Sequence, residues 1–362
     1  MLFTMTISPL NTWLTSASEP LLIAGPCGAE SLEQLQQTAK DLKYLNKVSL
    51  FRAGVWKPRT RPNAFEGKGE EALKWLAEIK KEFGFKITVE VANAQHTELA
   101  LKYGIDVLWI GARTTVNPFS VQEIADVLKG VDVPVMVKNP IHADLQLWVG
   151  AIERISNSGI TKLAAIHRGF YVYGKTKYRN KPMWQLPIEL RTLFPELPII
   201  CDPSHISGNR ELIPSVAQKA LDLGMNGLMI ESHYNPSIAL SDAEQQLTPT
   251  QLGELISKLI VRKQRASDNA VIDKLAELRN IIDEVDEELI NVLKKRTQII
   301  EEIGNYKKEH HITIFQLERW QEILRTRAQL AEKLGISRNH VEKICQLLHE
   351  ESIRIQNGVM NK

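Results

Sequence analysis

Eight short apolar runs rich in β-branched residues recur between residues 21 and 230, and most of them are followed by a helical pattern. Parallel strands that are buried on both faces have this appearance, because helices cover the sheet on either side. An open doubly wound sheet would normally bring a glycine-rich GxGxxG loop, which the sequence lacks. The pattern therefore predicts an α/β fold in the form of a closed (β/α)8 TIM barrel. The predicted strands are Leu21–Ala24, Val48–Phe51, Ile87–Val91, Val107–Ile110, Val133–Val137, Lys162–Ile166, Ile199–Cys201 and Gly227–Ile230.

The C-terminal part of the chain has a different pattern. After the polar stretch Arg262–Asn269, apolar residues recur at helical spacing from Ile272 to Ile303, proline is absent, and the first glycine is Gly304. With 362 residues, of which 43% are hydrophobic, the chain is long enough to form two cores. We predict a smaller all-α domain whose first helix, up to about 35 residues long, packs along a partner helix. The predicted layout is a barrel over residues 1–262, a linker over 263–270 and a helical domain over 271–362, with two shorter helices near 317–335 and 338–356.

Composition excludes several classes of function. The formal net charge of +2 is too small for a protein that binds nucleic acid by neutralising many phosphates. No apolar run approaches the roughly 20 residues of a membrane span, and the N-terminal residues lack the charged start and long apolar stretch of a signal peptide. Three scattered cysteines argue against a disulfide framework. We expect a cytoplasmic protein that binds neither nucleic acid nor a membrane.

A basic loop follows the second predicted strand. The segment Arg52–Gly67 (RAGVWKPRTRPNAFEG) crowds basic side chains around glycine and proline. Fixed cations are costly to bring together unless a phosphate or carboxylate neutralises them. A solvated basic turn is the alternative, but similar charge recurs at other strand ends. The loop therefore predicts a site for phosphorylated or polycarboxylate small molecules.

Polar side chains stand at the C-terminal end of each predicted strand, which is the rim where barrel enzymes place their chemistry. In chain order they are Cys27, Arg52, Glu90, Arg113, Lys138, His167 with Arg168, His205 and Glu231. The cations, together with Lys57 and Arg59, suit two phosphates and a carboxylate. The potential ligands of a divalent transition metal are Cys27, His205, Glu231 and Asp242. A single cysteine or histidine at a strand end is more often structural, so this prediction rests on the four occurring together.

Seven segments of the predicted barrel form a specific series. They are GPCGAES at Gly25–Ser31, KPRT at Lys57–Thr60, GARTT at Gly111–Thr115, VKN at Val137–Asn139, HRG at His167–Gly169, DPSH at Asp202–His205, and IESH with LSDA between Ile230 and Ala243. In these segments and their order, residues 20–245 resemble the type I 3-deoxy-D-arabino-heptulosonate 7-phosphate (DAHP) synthases. The resemblance implies a barrel enzyme that condenses phosphoenolpyruvate with erythrose 4-phosphate and releases phosphate.

The resemblance also implies which residues form the site. It assigns a divalent metal ion to Cys27, His205, Glu231 and Asp242. It assigns phosphoenolpyruvate to Arg52, Arg113, Lys138 and Arg168, and erythrose 4-phosphate to Lys57, Pro58, Arg59 and Thr60. Related barrels that make other 3-deoxy-ulosonic acids share the phosphoenolpyruvate site, whereas KPRT is the segment associated with erythrose 4-phosphate. Mn²⁺ is the first expectation for the metal, and Fe²⁺, Co²⁺ or Zn²⁺ also suit these ligands.

The chemistry of the condensation gives Lys57 a second predicted role and assigns one to Glu90. The metal would act as a Lewis acid on the aldehyde oxygen, and water would then capture the second carbon of phosphoenolpyruvate before phosphate leaves. Lys57 is the predicted proton donor. Glu90 would orient the water or a lysine, although pairing with the rim arginines is an equally good account of this carboxylate.

The helical domain has a resemblance of its own. Periodicity alone favours a dimerisation module, but residues 270–357 resemble the all-helical chorismate mutases at positions that hold substrate. The matching residues are Arg279, Arg296, Lys307, Arg319, Ser352 and Gln356. Rearrangement of chorismate to prephenate needs only a cavity that fixes two carboxylates and stabilises charge on the breaking ether oxygen, with Lys307 and Gln356 as predicted catalytic residues. In that family Arg279 reaches the active site of the neighbouring subunit, which implies a homodimer through the helical domain.

Two positions depart from the chorismate mutase pattern. Gln316 replaces a common aspartate, and Trp320 replaces a glutamate that usually contacts the substrate hydroxyl, although an indole cannot accept a hydrogen bond through its nitrogen. We expect an active mutase, with prephenate also acting as a feedback inhibitor of the synthase. The alternatives are a synthase whose helical domain is only a regulatory or dimerisation module, and another barrel aldolase with an unrelated helical module.

Overall fold

The structure is a computed structural model that describes residues 5–14, 20–57, 64–262 and 268–361. Contacts within the chain divide it into two compact units, Met1–Gln264 and Arg265–Lys362, and each is described by itself. Among the described residues, no helix is both long enough and apolar enough to cross a membrane.

The first unit is a closed barrel of eight parallel strands in sequential order, which confirms the predicted fold. Adjacent strands pair in parallel, and β1 closes the barrel on β8 through five residue pairs from Leu21 with Gly227 to Gly25 with Glu231. The strands are β1 Leu21–Gly25, β2 Leu50–Arg52, β3 Ile87–Val91, β4 Val107–Ile110, β5 Val135–Lys138, β6 Leu163–His167, β7 Ile199–Cys201 and β8 Gly227–Glu231. Strands β1, β2, β5, β6 and β8 each end one residue beyond the predicted boundary.

Helices follow the strands and cover the outside of the barrel. They are α1 Leu32–Leu45, α2 Glu70–Phe83, α3 Ala94–Lys102, α4 Ala112–Thr115, α5 Pro118–Val127, α6 Leu145–Asn157, α7 Gln185–Leu193, α8 Pro203–Ser207, α9 Ile213–Asp222 and α10 Pro249–Lys258. Short polar side chains begin several of them: the Ser31 side chain accepts a hydrogen bond from the Gln34 amide, and Asp144 accepts one from the Leu147 amide. Such caps satisfy amides that have no partner inside the helix.

The barrel has two apolar layers. One lies between strands and helices, and the other fills the barrel interior. The interior layer is formed by Trp13, Leu14, Leu21, Ile23, Leu50, Val107, Trp109, Met136, Ala164, Ile166, Ile200 and Met229. These side chains make the lower part of the barrel a packed core rather than a pore.

The described residues of the second unit form three helices, which confirms the predicted all-α domain: α11 Asn269–Glu309, α12 Leu317–Lys333 and α13 Arg338–Met360. Helix α11 has 41 residues, which is longer than predicted, and it begins inside the segment predicted as a linker. At Gly304 an added Cβ would lie 3.4 Å from Gln356 Cα and from Val359 Cβ, so this glycine allows α11 and α13 to approach closely.

The first part of α11 is exposed over its whole circumference. Every residue from 269 to 295 is exposed, and the apolar residues of this stretch include Leu278, Ile282, Val285 and Leu289. A helix that displays so many large apolar side chains to solvent has the character of an interface.

Candidate functional site

Strand alternation explains why polar side chains converge at one end of the barrel. Successive residues of a strand point to opposite faces, so the residue two positions after an interior residue also faces the interior. Arg52 follows interior Leu50 by two positions, and Glu231 follows interior Met229 in the same way. Lys138 follows interior Met136 in the same way, and Glu90 pairs with interior Trp109. Arg168 and Asp202, each one residue beyond its strand, follow interior Ile166 and Ile200. The polar layer is thus a continuation of the apolar interior layer.

His167 lies between interior Ile166 and Arg168, so the alternation turns its side chain to the outer face of β6 and not to the cleft where the sequence predicted it. Its ring is buried between strand and helix layers, with ring centres 5.3 Å from Trp184, 5.8 Å from Phe170 and 6.4 Å from Trp148. Burial, reinforced by Arg168, lowers the pKa of His167 to about 3. His167 is therefore a neutral packing residue, and Arg168 alone faces the barrel interior at this strand end.

A cleft of about 450 Å³ opens at the rim and contains most of the predicted site residues. Its lining includes Cys27, Arg52, Lys57, Glu90, Arg113, Lys138, Arg168, His205 and Asp242. Glu231 is fully buried directly beneath them, with Oε1 3.2 Å from Arg52 Nη2. Pro58, Arg59 and Thr60 lie outside the described residues. One cleft thus contains both the cationic and the potential metal-ligating side chains.

The potential metal ligands are close enough to share one ion. The ligand atoms of Cys27, Glu231 and Asp242 all lie within 4.8 Å of one another. The Nε2 atom of His205 is 3.8 Å from Glu231 Oε1, so the imidazole adjoins this group. A thiol, an imidazole and two carboxylates form a donor set that suits a divalent transition metal.

Asp202 orients His205 and was missed as a site residue. Its Oδ2 lies 2.8 Å from His205 Nδ1 and accepts a hydrogen bond from Lys138 Nζ at 2.9 Å. Burial alone would raise the pKa of Asp202, but His205 and Lys138 outweigh it and hold the pKa well below the usual range. A carboxylate on Nδ1 leaves Nε2 as the nitrogen directed at the ligand group, a common arrangement behind metal-binding histidines.

Cys27 is held between a cation and a carboxylate. Lys57 Nζ donates a hydrogen bond to Cys27 Sγ at 2.6 Å, and Sγ lies 3.1 Å from Asp242 Oδ2. Burial, reinforced by Glu231, raises the pKa of the Cys27 thiol to about 12. Lys57 lowers this pKa but does not outweigh burial, so a stable thiolate at neutral pH needs further positive charge, which a bound divalent ion would supply.

Arg179 is a second residue that the sequence did not reveal. Its Nη1 donates hydrogen bonds to Asp242 Oδ1 at 2.9 Å and to Gln245 Oε1 at 2.7 Å. Burial would raise the pKa of Asp242, but Arg179 and His205 lower it below the usual range. The only sequence signal was a run of basic residues in the loop after β6.

The cationic side of the cleft is built around Trp109. The guanidinium of Arg52 lies 5.1 Å from the centre of the Trp109 ring, and Lys138 Nζ lies 5.5 Å from it. Arg52 is only 2% exposed, and its Nε and Nη1 have no hydrogen-bond partner among the described residues. Buried donors without partners are costly, so this geometry favours an anionic ligand.

Arg168 is fixed by two asparagines. Its backbone amide donates to Asn139 Oδ1 at 2.7 Å, and its Nη1 donates to Asn180 Oδ1 at 2.8 Å. Burial lowers the pKa of Arg168 to about 10, and the positive charges of Arg179 and Arg113 contribute to this effect. Cations that repel each other in a partly buried cleft are stabilised by a bound anion.

Glu90 lies beside the cationic groups and is held by one clear contact. Its Oε2 accepts a hydrogen bond from Trp109 Nε1 at 2.8 Å. A Cβ atom on Gly111 would lie 2.1 Å from Glu90 Oε1, so only glycine leaves room for this carboxylate. The GARTT segment therefore positions Glu90 as well as presenting Arg113.

The helical unit has a pocket of its own, with a volume of about 650 Å³. The predicted residues that line it are Arg296, Lys307, Arg319, Ser352 and Gln356, and Gln316 and Trp320 line it too. Arg279 does not, because it lies on the exposed part of α11. The pocket thus gathers cations and amides from all three helices.

Several of these side chains are already oriented. Lys307 Nζ donates a hydrogen bond to the Ile314 carbonyl at 2.7 Å, and burial lowers the pKa of Lys307. Arg319 Nη1 pairs with Glu322 Oε2 at 2.6 Å. Gln356 is buried, and its Oε1 has no partner among the described residues. A cavity with cations on its walls suits a small dianion, and the unpaired Gln356 oxygen can accept a hydrogen bond from a ligand.

Comparisons with known proteins match both parts of the chain. The family model described as the DAHP synthetase I family matches residues 8–266, and the model described as chorismate mutase type II matches residues 278–357. The phospho-2-dehydro-3-deoxyheptonate aldolase of Thermotoga maritima is 32% identical over 238 residues, which cover 66% of this chain and 68% of the relative. The 2-dehydro-3-deoxyphosphooctonate aldolase of Helicobacter pylori is 31% identical, with 69% of this chain and 98% of the relative covered.

Solved structures give the same result. The crystal structure of the Thermotoga maritima phospho-2-dehydro-3-deoxyheptonate aldolase (DAHP synthase) superposes with a TM-score of 0.60 at 32% identity, covering 66% of this chain and 67% of that one. A truncated form of the 3-deoxy-D-arabino-heptulosonate 7-phosphate synthase of the same organism gives a TM-score of 0.57 at 29% identity, covering 66% and 84% of the two chains. The chain therefore belongs to the DAHP synthetase I family and carries a C-terminal chorismate mutase type II domain, so that it joins two enzyme activities of aromatic biosynthesis.

Proposed function

We propose that the barrel condenses phosphoenolpyruvate with erythrose 4-phosphate in a metal-dependent reaction. We also propose that the helical domain converts chorismate to prephenate, and that prephenate inhibits the synthase by feedback. The observation that carries the first part is the single cleft in which the group of Cys27, Glu231 and Asp242 adjoins buried cations. An aldol-type condensation of a phosphorylated enol with a sugar aldehyde needs both kinds of group at one place.

The proposed metal ligands are Cys27, His205, Glu231 and Asp242. When bound, a divalent ion would supply Lewis acidity toward the sugar aldehyde. Mn²⁺ is the first choice, and Fe²⁺, Co²⁺ or Zn²⁺ suit the same donors. Asp202 supports the site by holding His205 through Nδ1, at 2.8 Å. Arg179 supports it by orienting Asp242 through a contact of 2.9 Å.

Phosphoenolpyruvate is proposed to bind to the cationic side of the cleft. Its phosphate and carboxylate would be held by Arg52, Arg113, Lys138 and Arg168. Arg52 and Lys138 are anchored on one tryptophan ring, so their positions are set before the substrate arrives. Fixed cations of this kind hold the reacting carbon in place and stabilise the negative charge on the departing phosphate.

Lys57 is proposed to move a proton during the condensation. Its ammonium lies 2.6 Å from Cys27 Sγ, at the border between the ligand group and the cationic side. From there Nζ can donate a proton to the oxygen that the aldehyde becomes. The erythrose 4-phosphate site is assigned to Lys57 with Pro58, Arg59 and Thr60. Glu90, fixed by Trp109 and given room by Gly111, is proposed to orient the attacking water.

In the helical pocket, Arg296 and Arg319 are proposed to fix the two carboxylates of chorismate, with Ser352 supporting one of them. Lys307 and Gln356 both line the pocket and would stabilise charge on the breaking ether oxygen, Lys307 through its ammonium and Gln356 through its amide nitrogen. No nucleophile is required, since electrostatic stabilisation and a restricted conformation lower the barrier of a pericyclic reaction.

A homodimer through the helical domain is proposed to complete this pocket with Arg279 of the second copy. The exposed apolar part of α11 carries this residue. Ile282, which is 59% exposed, is expected to be central to the contact. Ile282→Lys should produce a monomer in sedimentation equilibrium and lower chorismate turnover. Glu287→Lys, which adds the same side chain off the apolar stripe, is the control; a monomeric wild-type protein would contradict the proposal.

Prephenate is proposed to inhibit the synthase from the helical pocket. The barrel starts a pathway that leads to chorismate, so occupancy of this pocket by prephenate reports the supply of product. A coupling of about 1 to 3 kcal/mol between the two sites would weaken binding of barrel substrates by roughly 5- to 150-fold.

An assay with both substrate pairs, with and without a chelator, tests the proposed function. Chelation is expected to stop formation of DAHP, since the thiol, imidazole and carboxylates then hold no Lewis acid, whereas formation of prephenate should continue. A five-carbon sugar phosphate should be a poor substrate in place of erythrose 4-phosphate. Preference for the longer sugar would instead favour the activity named for the similar Helicobacter pylori protein. Synthase activity that survives complete metal removal would contradict the ligand assignment.

A further inference from the structure

His349 lies in the helical pocket at a place where aromatic rings fix its orientation. It belongs to α13, and its ring stacks on Trp320 with centres 4.2 Å apart and planes 15° from parallel. Phe315 contacts the imidazole edge-on at 5.9 Å. Stacking restricts the rotation of the imidazole and therefore sets the direction of its nitrogen atoms.

The Nε2 atom of His349 is a polar atom without a partner. It is buried and has no hydrogen bond to any of the residues that the structure describes. Burial, with Arg296 and Lys307 nearby, lowers the pKa of His349. A lowered pKa favours the neutral imidazole, in which one nitrogen can accept a hydrogen bond. A buried acceptor of this kind is costly unless a ligand atom pairs with it.

One part of chorismate still needs a partner in this pocket. Two carboxylates and an ether oxygen are matched by cations and an amide, but the ring hydroxyl needs a group that accepts its hydrogen bond. Among the described residues that line the pocket, none carries a carboxylate. The acceptors among these residues are His349 Nε2 and the side-chain oxygens of Gln316, Ser352 and Gln356. Ser352 and Gln356 are already assigned to a carboxylate and to the ether oxygen, and Gln316 is exposed. The Trp320 indole can only donate, so the buried Nε2 of His349 is the acceptor best placed for the hydroxyl.

We propose that His349, held in place by Trp320, binds the ring hydroxyl of chorismate through Nε2 and makes the helical site selective for substrate that carries this hydroxyl. The proposal rests on the proposed placement of chorismate in this pocket. His349 is then a specificity-determining residue, and Trp320 is the positioning residue that supports it.

The test compares kcat/KM of the full-length protein for chorismate and for an analogue that lacks the ring hydroxyl but keeps both carboxylates and the enol ether. His349→Phe keeps a stacking ring and removes the nitrogens. We expect kcat/KM for chorismate to fall about 5- to 150-fold, the loss typical of one unpaired buried hydrogen-bonding group, while that for the analogue changes little. His349→Gln should restore part of the selectivity, because its amide can accept a hydrogen bond.

Controls separate this proposal from its alternatives. His340→Phe makes the same change at an exposed position of the same helix and should leave both values unchanged. If His349→Phe does not fold, His349→Leu replaces it in the test, and the same loss of selectivity for chorismate is expected. An equal loss for both substrates would show a structural role, and no loss would show that His349 makes no contact; either overturns the proposal. Failure of the mutase assignment is distinguishable, since the wild-type protein would then convert neither substrate.

Discussion

Cys27→Ala is expected to lower DAHP formation by more than about 100-fold, the upper end of what loss of a supporting residue costs a metal site. The thiol lies within 4.8 Å of the ligand atoms of Glu231 and Asp242, and Lys57 is hydrogen bonded to it. Removing the thiol takes away a proposed ligand and also frees Lys57 from its position. The measurement is DAHP formation in the presence of added Mn²⁺, together with metal content.

The same variant provides an internal control, because chorismate turnover should remain near the wild-type value. Cys201→Ala is a matched control: Cys201 is equally buried, but it belongs to the layer between strands and helices. That variant should retain both activities and bound metal. Near-normal DAHP formation by Cys27→Ala in added Mn²⁺ would remove Cys27 from the ligand set.

The barrel was predictable because parallel strands that are buried on both faces leave uninterrupted apolar runs. The ends of those strands were not predictable in this way, since the first polar residue after an apolar run marks the end of the run but not the end of the strand. Arg52, Lys138 and Glu231 still belong to their strands, and each strand therefore ends one residue later than predicted. These polar side chains point to the inside of the barrel because the alternation of the strand continues into the cleft.

Residues of the cleft were predictable where a charged residue directly follows or ends a strand. Arg179 was missed because it lies in a loop after β6, and loop conformation decides whether such a residue reaches the cleft. Asp202 was missed because its role depends on Lys138, 64 residues away in the sequence, as well as on the neighbouring His205. His167 was wrongly placed at the rim, since a shift of one residue along a strand reverses the face.

In the helical domain, periodicity predicted the number of helices but not what each face contacts. The exposed part of α11 has the same apolar spacing as the part that packs on α13. Spacing alone therefore could not show that Arg279 lies away from the pocket that Arg296 and Arg319 line. The roles of these residues, the homodimer and the cytoplasmic location stay predictions.

Arg319→Ala is expected to remove most of the chorismate mutase activity. The guanidinium lines the pocket and is oriented by Glu322 at 2.6 Å, so it is ready to hold a substrate carboxylate. Loss of such a charge-assisted contact costs about 1.5 to 3 kcal/mol, or roughly 10- to 150-fold in kcat/KM, before any loss of positioning. Arg338→Ala is the matched control, because Arg338 also pairs with glutamates but does not line the pocket. Unchanged chorismate turnover would place the mutase site elsewhere.

The same variant decides whether the helical pocket is also the sensor. If prephenate inhibits the synthase by binding there, Arg319→Ala should shift inhibition of DAHP formation to higher prephenate concentrations by about the factor lost in binding, while uninhibited synthase activity is unchanged. A chain truncated near Arg265, at the boundary between the two units, should lose the inhibition altogether. Reciprocity gives a second measurement. Phosphoenolpyruvate must weaken the binding of prephenate to the intact chain by the same factor by which prephenate weakens the binding of phosphoenolpyruvate. Inhibition that persists undiminished in both variants would place the sensor in the barrel and leave the fusion without a regulatory role.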